Sequence, residues 1–93
     1  MTYDCHMHIG SVTQGPVRER AASLLALYDR YEISGSIVLP LDGLLSNCSN
    51  HAADNDYVYE FCSQAPGRLK PTFVVNPLMG EAALAEVRRC HDQ

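Results

Sequence analysis

The sequence predicts an α/β fold in which three parallel strands alternate with three helices. Short apolar runs alternate with longer amphipathic segments along the chain, and turn-forming residues separate them. This β-α-β-α-β-α order predicts a parallel sheet whose right-handed crossovers place the helices outside it. A chain of 93 residues supports one small domain, and no linker or internal repeat divides it.

The first half of the chain contains two predicted strands and one predicted helix. We predict the first strand at residues 2–8. A helix follows at residues 16–32, because Pro16 suits a first helical turn and Ser34-Gly35 provides a stop. Residues 36–39, Ser-Ile-Val-Leu, form a short apolar run that predicts a buried second strand.

The second half contains two predicted helices around one strand. Apolar side chains recur every four residues over residues 50–65, which predicts a helix with Asn50 as its N-cap. The third strand is predicted at residues 71–75, before an Asn-Pro turn. The third helix is predicted at residues 80–90, because Glu81 in its first turn and two arginines in its last match the helix dipole.

Three strands with helices on one side leave the other face of the sheet bare, although a parallel sheet normally has both faces covered. A full (β/α) barrel needs roughly 250 residues. We therefore expect either a small open three-stranded layer or a segment of a larger barrel. The helical pattern reaches the last residues without a glycine stop, which favours the segment.

The composition excludes several classes of protein. Seven Lys and Arg against eleven Asp and Glu give a formal charge of -4, which disfavours a nucleic-acid-binding surface. No apolar run approaches the roughly 20 residues of a membrane span, and no secretory leader opens the sequence. We therefore expect a cytoplasmic protein without a membrane partner.

The four cysteines are expected to be reduced thiols, because no secretory signal supports disulfides and no Cys-x-x-Cys pair occurs. A zinc site built from cysteine and histidine is the alternative. Cys48 and His51 have the spacing of ligands, and Cys90 is followed by His91. No second pair has the spacing of a zinc finger, so this alternative is the weaker one.

The residues most suggestive of chemistry lie in the first strand. Side chains alternate in a strand, so Asp4, His6 and His8 are expected on one face, and the apolar side chains between them on the other. Imidazoles two residues apart lie roughly 7 Å apart at the backbone and can converge on one metal ion. The pair is near the carboxyl end of a first parallel strand, where α/β folds place active sites. The alternative is two histidines that bond only to neighbours or water.

Other polar residues have a structural and a functional interpretation. Asp4 either orients a metal ligand or holds the start of the strand to nearby backbone. Asn76 either contacts a substrate or starts the turn before Pro77, and Asp42 either faces the site or belongs to a turn. Arg68 follows a Pro-Gly turn at the opposite end of the sheet, so we expect it to be structural and to pair with a helix carboxylate.

The sequence resembles the amidohydrolase-related metal-dependent hydrolases, in the branch with non-oxidative decarboxylases such as aminocarboxymuconate-semialdehyde decarboxylase. Asp4-x-His6-x-His8 followed by Gly10 resembles the opening strand of that family. Three weaker segments follow in the expected order, so the resemblance covers essentially the whole chain. They are Asn55-Asp56 with residues 65–69, then residues 71–77, then residues 81–90.

The resemblance implies that the chain forms the first three βα units of a TIM-type (β/α)8 barrel, with parallel strands and helices outside. It implies a divalent metal, most often zinc, with His6 and His8 as its first two ligands and Asp4 behind them. The later ligands and the acid or base groups have no counterparts here, and neither His51 nor His91 matches a later ligand position. We therefore expect the isolated chain to be inactive.

The reaction that the resemblance implies is hydrolysis of a C–N or C–O bond in a small molecule by metal-activated water. One alternative is metal-dependent, non-oxidative decarboxylation of a small carboxylic acid. The other alternative is non-enzymatic: a truncated chain, or a module that self-associates into a homo-oligomer to cover its bare face and open edges.

Overall fold

The computed structural model describes residues 1–10, 16–41 and 51–93. The strands are β1 (Tyr3–Ile9), β2 (Gly35–Pro40) and β3 (Leu69–Pro71). The helices are α1 (Val17–Arg30), α2 (His51–Cys62) and α3 (Glu81–His91), and a short 3₁₀ turn (Pro77–Met79) precedes α3. The predicted alternation of strands and helices is confirmed.

The strands form one parallel sheet with β2 at its centre, in the order β1-β2-β3. Burial alternates along β2: Ser36 and Val38 are fully buried, whereas Ile37 between them is exposed. One face of the sheet is therefore covered and the other open, as the count of strands and helices predicts.

The core lies between the covered face of the sheet and the first two helices. Each strand contributes one large buried side chain, and α1 and α2 pack against these from one side. The members of this core are Ile9, Ala21, Tyr28, Val38, Val58, Phe61, Cys62 and Leu69. Because α1 and α2 both cover this side, the polar residues of β1 that face the other side stay accessible.

The end of α1 differs from the prediction. The helix ends at Arg30 rather than residue 32, and Glu32 takes the left-handed conformation there with φ 58°. Gly35 is not the helix stop but the first residue of β2. Glycine is required at this position for another reason, since a Cβ there would lie 2.1 Å from the carbonyl oxygen of Arg68.

The third strand is shorter and earlier than the predicted residues 71–75. β3 ends at Pro71, although Thr72 still donates its N–H to Val38 at 3.0 Å. The backbone of Val74 bonds instead to the Asn55 side chain of α2, which donates to its carbonyl and accepts from its N–H, both at 2.8 Å. The pattern of apolar residues could not reveal this competition for backbone groups.

Two further expectations concern the cysteines and the membrane. Cys5, Cys62 and Cys90 are not paired with one another, and Cys48 lies outside the described residues, so the reduced state stays a prediction. Burial raises the pKa of Cys62 to about 12 and is the main cause that raises the pKa of Cys90 to about 11. Within residues 1–10, 16–41 and 51–93, no helix has the length and apolar character needed to cross a bilayer.

Candidate metal-binding site

The two histidines of β1 converge on each other. The Nε2 atoms of His6 and His8 are 2.8 Å apart, and the ring centroids are 4.8 Å apart with the planes tilted by 58°. At this distance one ring N–H donates to the lone pair of the other ring. His6 is exposed and His8 is half-buried, so solvent reaches the pair.

The strand reaches this arrangement through a β-bulge. Asp4 pairs with Ser36 and Met7 with Val38, so two residues of β1, Cys5 and His6, lie opposite the single residue Ile37. The Asp4 carboxylate accepts a hydrogen bond at 3.0 Å from the backbone N–H of His6. Aspartate side chains commonly accept a hydrogen bond from the backbone N–H two residues later in the sequence. Because the N–H of His6 is used in this local bond, it does not pair within the sheet.

The bulge makes the predicted arrangement of side chains partly wrong. Partners on neighbouring parallel strands point to the same face, so Asp4 lies on the side of buried Ser36, whereas His8 follows the open side with Leu39. Asp4 therefore does not share one face with the histidine pair. The apolar residues are also split, because Ile9 and Met7 contact the core while Cys5 is exposed.

The pair fits half of a tetrahedral metal site. Zn–N bonds of about 2.0–2.1 Å place two tetrahedral nitrogen ligands about 3.3 Å apart, so the pair would open by about 0.5 Å to bind zinc. Over the residues that the structure describes, no group of three or more His, Cys, Asp or Glu side chains is arranged to hold a metal. The described residues would thus supply two ligands to such an ion, and the remaining positions would be open to water or another donor.

Of the alternative zinc ligands, the pair Cys48 and His51 is not tested, because it lies partly outside the described residues. Cys48 and Asp42 lie outside them. His51 is buried at the first residue of α2, and its Nδ1 has no hydrogen-bond partner among the described residues. His91 is exposed at the end of α3, and the neighbouring Cys90 thiol donates to a carboxylate at 3.3 Å.

The structural interpretations of Asn76 and Arg68 are confirmed. Asn76 caps the 3₁₀ turn, because its Oδ1 accepts from the N–H of Leu78 at 2.9 Å. Its predicted contact with a substrate stays a prediction. Arg68 pairs with Asp29 of α1 at 2.9 Å and also donates to the carbonyl oxygens of Ile33 and Ser34.

A buried polar cluster joins α2 to α3, and the sequence did not single it out. Glu86 is 5% exposed and accepts hydrogen bonds from Asn55 at 2.9 Å and from Arg89 at 2.6 and 2.8 Å. Arg89 also pairs with Asp56 at 2.6 Å. These bonds, led by those from Arg89, lower the pKa of Glu86 from 4.5 to about 2.

A signal for this cluster was present in the sequence. Glu86 lies three residues after Ala83 and four before Cys90, so the helical period places it on the side of α3 that faces the protein. A carboxylate on such a side requires a cation and hydrogen-bond donors. The cluster therefore fixes the helices to each other, and it lies apart from the histidine pair.

Comparisons with known proteins leave the family of this chain unassigned. No protein-family model matches it, and no curated protein or solved structure shows a significant match.

Proposed function

We propose that this chain carries the first two metal ligands of a metal-dependent hydrolase that cleaves a C–N or C–O bond in a small molecule. The observation that carries the proposal is the convergence of His6 and His8, whose Nε2 atoms are 2.8 Å apart. Two imidazoles aimed at one point on an accessible surface are the arrangement that a divalent ion, most often zinc, requires of its nitrogen ligands.

The place of the pair in the fold supports the proposal. In a (β/α)8 barrel the helices cover the outside, so the uncovered face of each strand lines the interior. His8 follows the open face and is the next-to-last residue of β1, near the carboxyl end where such barrels place their active sites. A first unit of a metal-dependent barrel would present its ligands in this way.

A bound divalent ion would supply Lewis acidity, which lowers the pKa of a water ligand and polarises a substrate oxygen. The residues of this chain would hold it in place. His6 and His8 would donate the lone pairs of their Nε2 atoms. Asp4 would fix the backbone of His6 through its 3.0 Å hydrogen bond, and Met7, packed against the core, would anchor the strand between the two ligands.

The test is zinc binding by the 93-residue chain, measured by isothermal titration calorimetry and by the visible spectrum of the cobalt(II) form. We expect His6→Ala and His8→Ala each to weaken binding at least about tenfold, because each removes one of the two ligands that the described residues would supply. Both side chains lie at least partly in solvent, so the thermal unfolding followed by circular dichroism should change little.

Two variants serve as controls for this test. His91→Ala removes an exposed imidazole from the end of α3, and Cys5→Ala removes the exposed thiol beside the pair. Both should bind zinc like the unchanged chain. Full zinc affinity in either His6→Ala or His8→Ala would show that the pair is not the site.

A further inference from the structure

Four exposed apolar side chains lie close together in the sequence, in the 3₁₀ turn and α3. Leu78 is 93% exposed and Leu84 is 49% exposed, and Met79 and Val87 are also exposed. All four belong to the ten residues from the 3₁₀ turn to the middle of α3. Exposed apolar residues scattered singly are normal, whereas a contiguous apolar patch marks a surface that another molecule covers.

This patch continues into a groove of about 460 Å³ beside α3. The groove lies between the chain that follows β3, at Val75 and Pro77, and the apolar side of the helix, at Ala83, Leu84 and Val87. Leu78, the most exposed member of the patch, immediately follows Pro77 in the wall of the groove. The surface therefore offers both a projecting apolar side chain and an apolar recess.

Two opposite charges flank Leu84 of the patch along one stripe of α3. Glu81, Leu84 and Arg88 are separated by three and four residues, so they follow one another along one side of the helix. Within residues 1–10, 16–41 and 51–93, neither Glu81 nor Arg88 takes part in an ion pair or a side-chain hydrogen bond.

This stripe is complementary to itself under a two-fold rotation. When two copies of α3 lie antiparallel with Leu84 near the axis, Glu81 of each copy is level with Arg88 of the other. Such a pairing forms two ion pairs and buries Leu84 of each copy between them. A parallel pairing would instead bring like charges together, so the charges select the antiparallel one.

We propose that α3 and the preceding 3₁₀ turn form a homodimer interface in which a second copy of this chain covers the patch. The inference does not depend on the metal ligands, because the patch lies on the helical layer and the histidine pair on the open sheet face. A helix of eleven residues gives a small interface, and each copy carries a charge of -4, so the association is weak and reversible.

Sedimentation equilibrium of the 93-residue chain from about 10 µM to about 1 mM gives the first readout. The weight-average mass is expected to rise from 10.3 kDa towards twice that value. Glu81→Arg alone and Arg88→Glu alone should each weaken self-association about tenfold, since each turns two attractive contacts into repulsive ones.

The decisive experiment mixes these two variants. In the mixed pair, both arginines of the Glu81→Arg chain face both glutamates of the Arg88→Glu chain, so the heterodimer should recover the association that each variant lost. A folding defect would not be rescued by mixing, and circular dichroism of each variant checks its fold. The control mixture is Glu60→Arg with Arg20→Glu, which makes the same charge changes on exposed residues of α2 and α1.

Either of two results would overturn the proposal. One is an unchanged chain that stays at 10.3 kDa over the whole concentration range. The other is a dimer whose stability does not respond to the single charge reversals or to their mixture, which would assign the interface to another surface, such as the open face of the sheet.

Discussion

At the scale of single residues, Gly35 fixes how closely β2 approaches β3. The N–H of Ser36 donates to the carbonyl oxygen of Arg68 at 2.8 Å, and this bond brings the Arg68 carbonyl against the Cα of Gly35. The Arg68 side chain meanwhile holds the segment before β2 through the carbonyl oxygens of Ile33 and Ser34. Arg68 thus contacts the backbone just before and just after Gly35, a position that has no room for a side chain.

Gly35→Ala is expected to lower the free energy of unfolding by at least about 2 kcal/mol. The new Cβ would lie 2.1 Å from a backbone oxygen, which cannot rotate away as a flexible side chain would, so β3 would have to shift. Urea denaturation followed by circular dichroism measures the change. Ser34→Ala, one residue earlier, is the matched control and should cost less than about 0.5 kcal/mol. Equal stability of the two variants would contradict the close-approach argument.

Individual side chains were predictable where the order of the elements fixes the end of the sheet at which they lie. The structural role of Arg68 followed from its place after the Pro-Gly turn, and its ion pair with Asp29 confirms it. The placement of Asp4 and the histidine pair on different faces of β1 was not predictable from the alternation of side chains along a strand. It depends on whether the N–H of His6 donates to the Asp4 carboxylate or to the backbone of β2. The pattern of residues does not show which of these two acceptors is bonded.

At the scale of elements, the Asn55 side chain replaces part of the third strand. Its amide group makes the two hydrogen bonds to Val74 that a neighbouring strand would otherwise make, and its Nδ2 also donates to Glu86. A single side chain of α2 therefore positions the segment that leads from β3 into α3.

Asn55→Ala is expected to destabilise the chain by about 2–4 kcal/mol, because it leaves the backbone N–H and carbonyl of Val74 without their side-chain partner and removes one of the donors to buried Glu86. Chemical denaturation provides the measurement. Gln64→Ala, which removes an exposed amide bonded to the carbonyl oxygen of Glu60, should change stability by less than about 0.5 kcal/mol. A loss below about 1 kcal/mol for Asn55→Ala would mean that water replaces the amide readily.

The sequence predicted the type and order of the elements better than their ends. Helical periodicity and turn residues located all three helices, because these signals depend on neighbouring residues. The third strand was predicted too late in the sequence, because its end depends on the hydrogen bonds of Asn55, which lies nineteen positions from Val74 in the sequence. The stop of α1 was also misplaced, because Glu32 adopted a conformation usually taken by glycine.

At the scale of the whole molecule, stability is expected to fall in acid through the Glu86 cluster. The pKa of Glu86 is lowered from 4.5 to about 2 in the folded chain, chiefly by hydrogen bonds from Arg89. A depressed folded-state pKa means that the ionised carboxylate stabilises the fold fully above about pH 4.5. This contribution is lost progressively as the pH falls towards 2.

Urea midpoints measured between pH 6 and pH 2 test this expectation. Glu86→Gln keeps the shape of the side chain but removes the titrating group, so its stability should depend less on pH below 4.5 than that of the unchanged chain. Glu60→Gln, at an exposed position on α2, is the control and should keep the full acid dependence. Identical pH profiles for Glu86→Gln and the unchanged chain would remove Glu86 as the cause.

The open face of the sheet was predictable for the whole molecule because it follows from counting elements rather than from any particular residue. Ile37, exposed at the centre of the sheet, confirms it. The exposure of the apolar patch on α3 was not predicted, because its residues have the same spacing as those of a helix whose apolar side is buried. Amphipathic spacing shows that a helix has an apolar side, but not that a neighbour covers it.

The bulge in β1 also has a consequence for chemical labelling. It leaves the thiol of Cys5 exposed beside His6, while the thiols of Cys62 and Cys90 have pKa values of about 12 and 11 and remain protonated near neutral pH. An alkylating fluorophore should therefore prefer Cys5 among these three thiols. Attached there, the dye would sit next to the two imidazoles and report an ion that quenches its emission, without replacing either histidine.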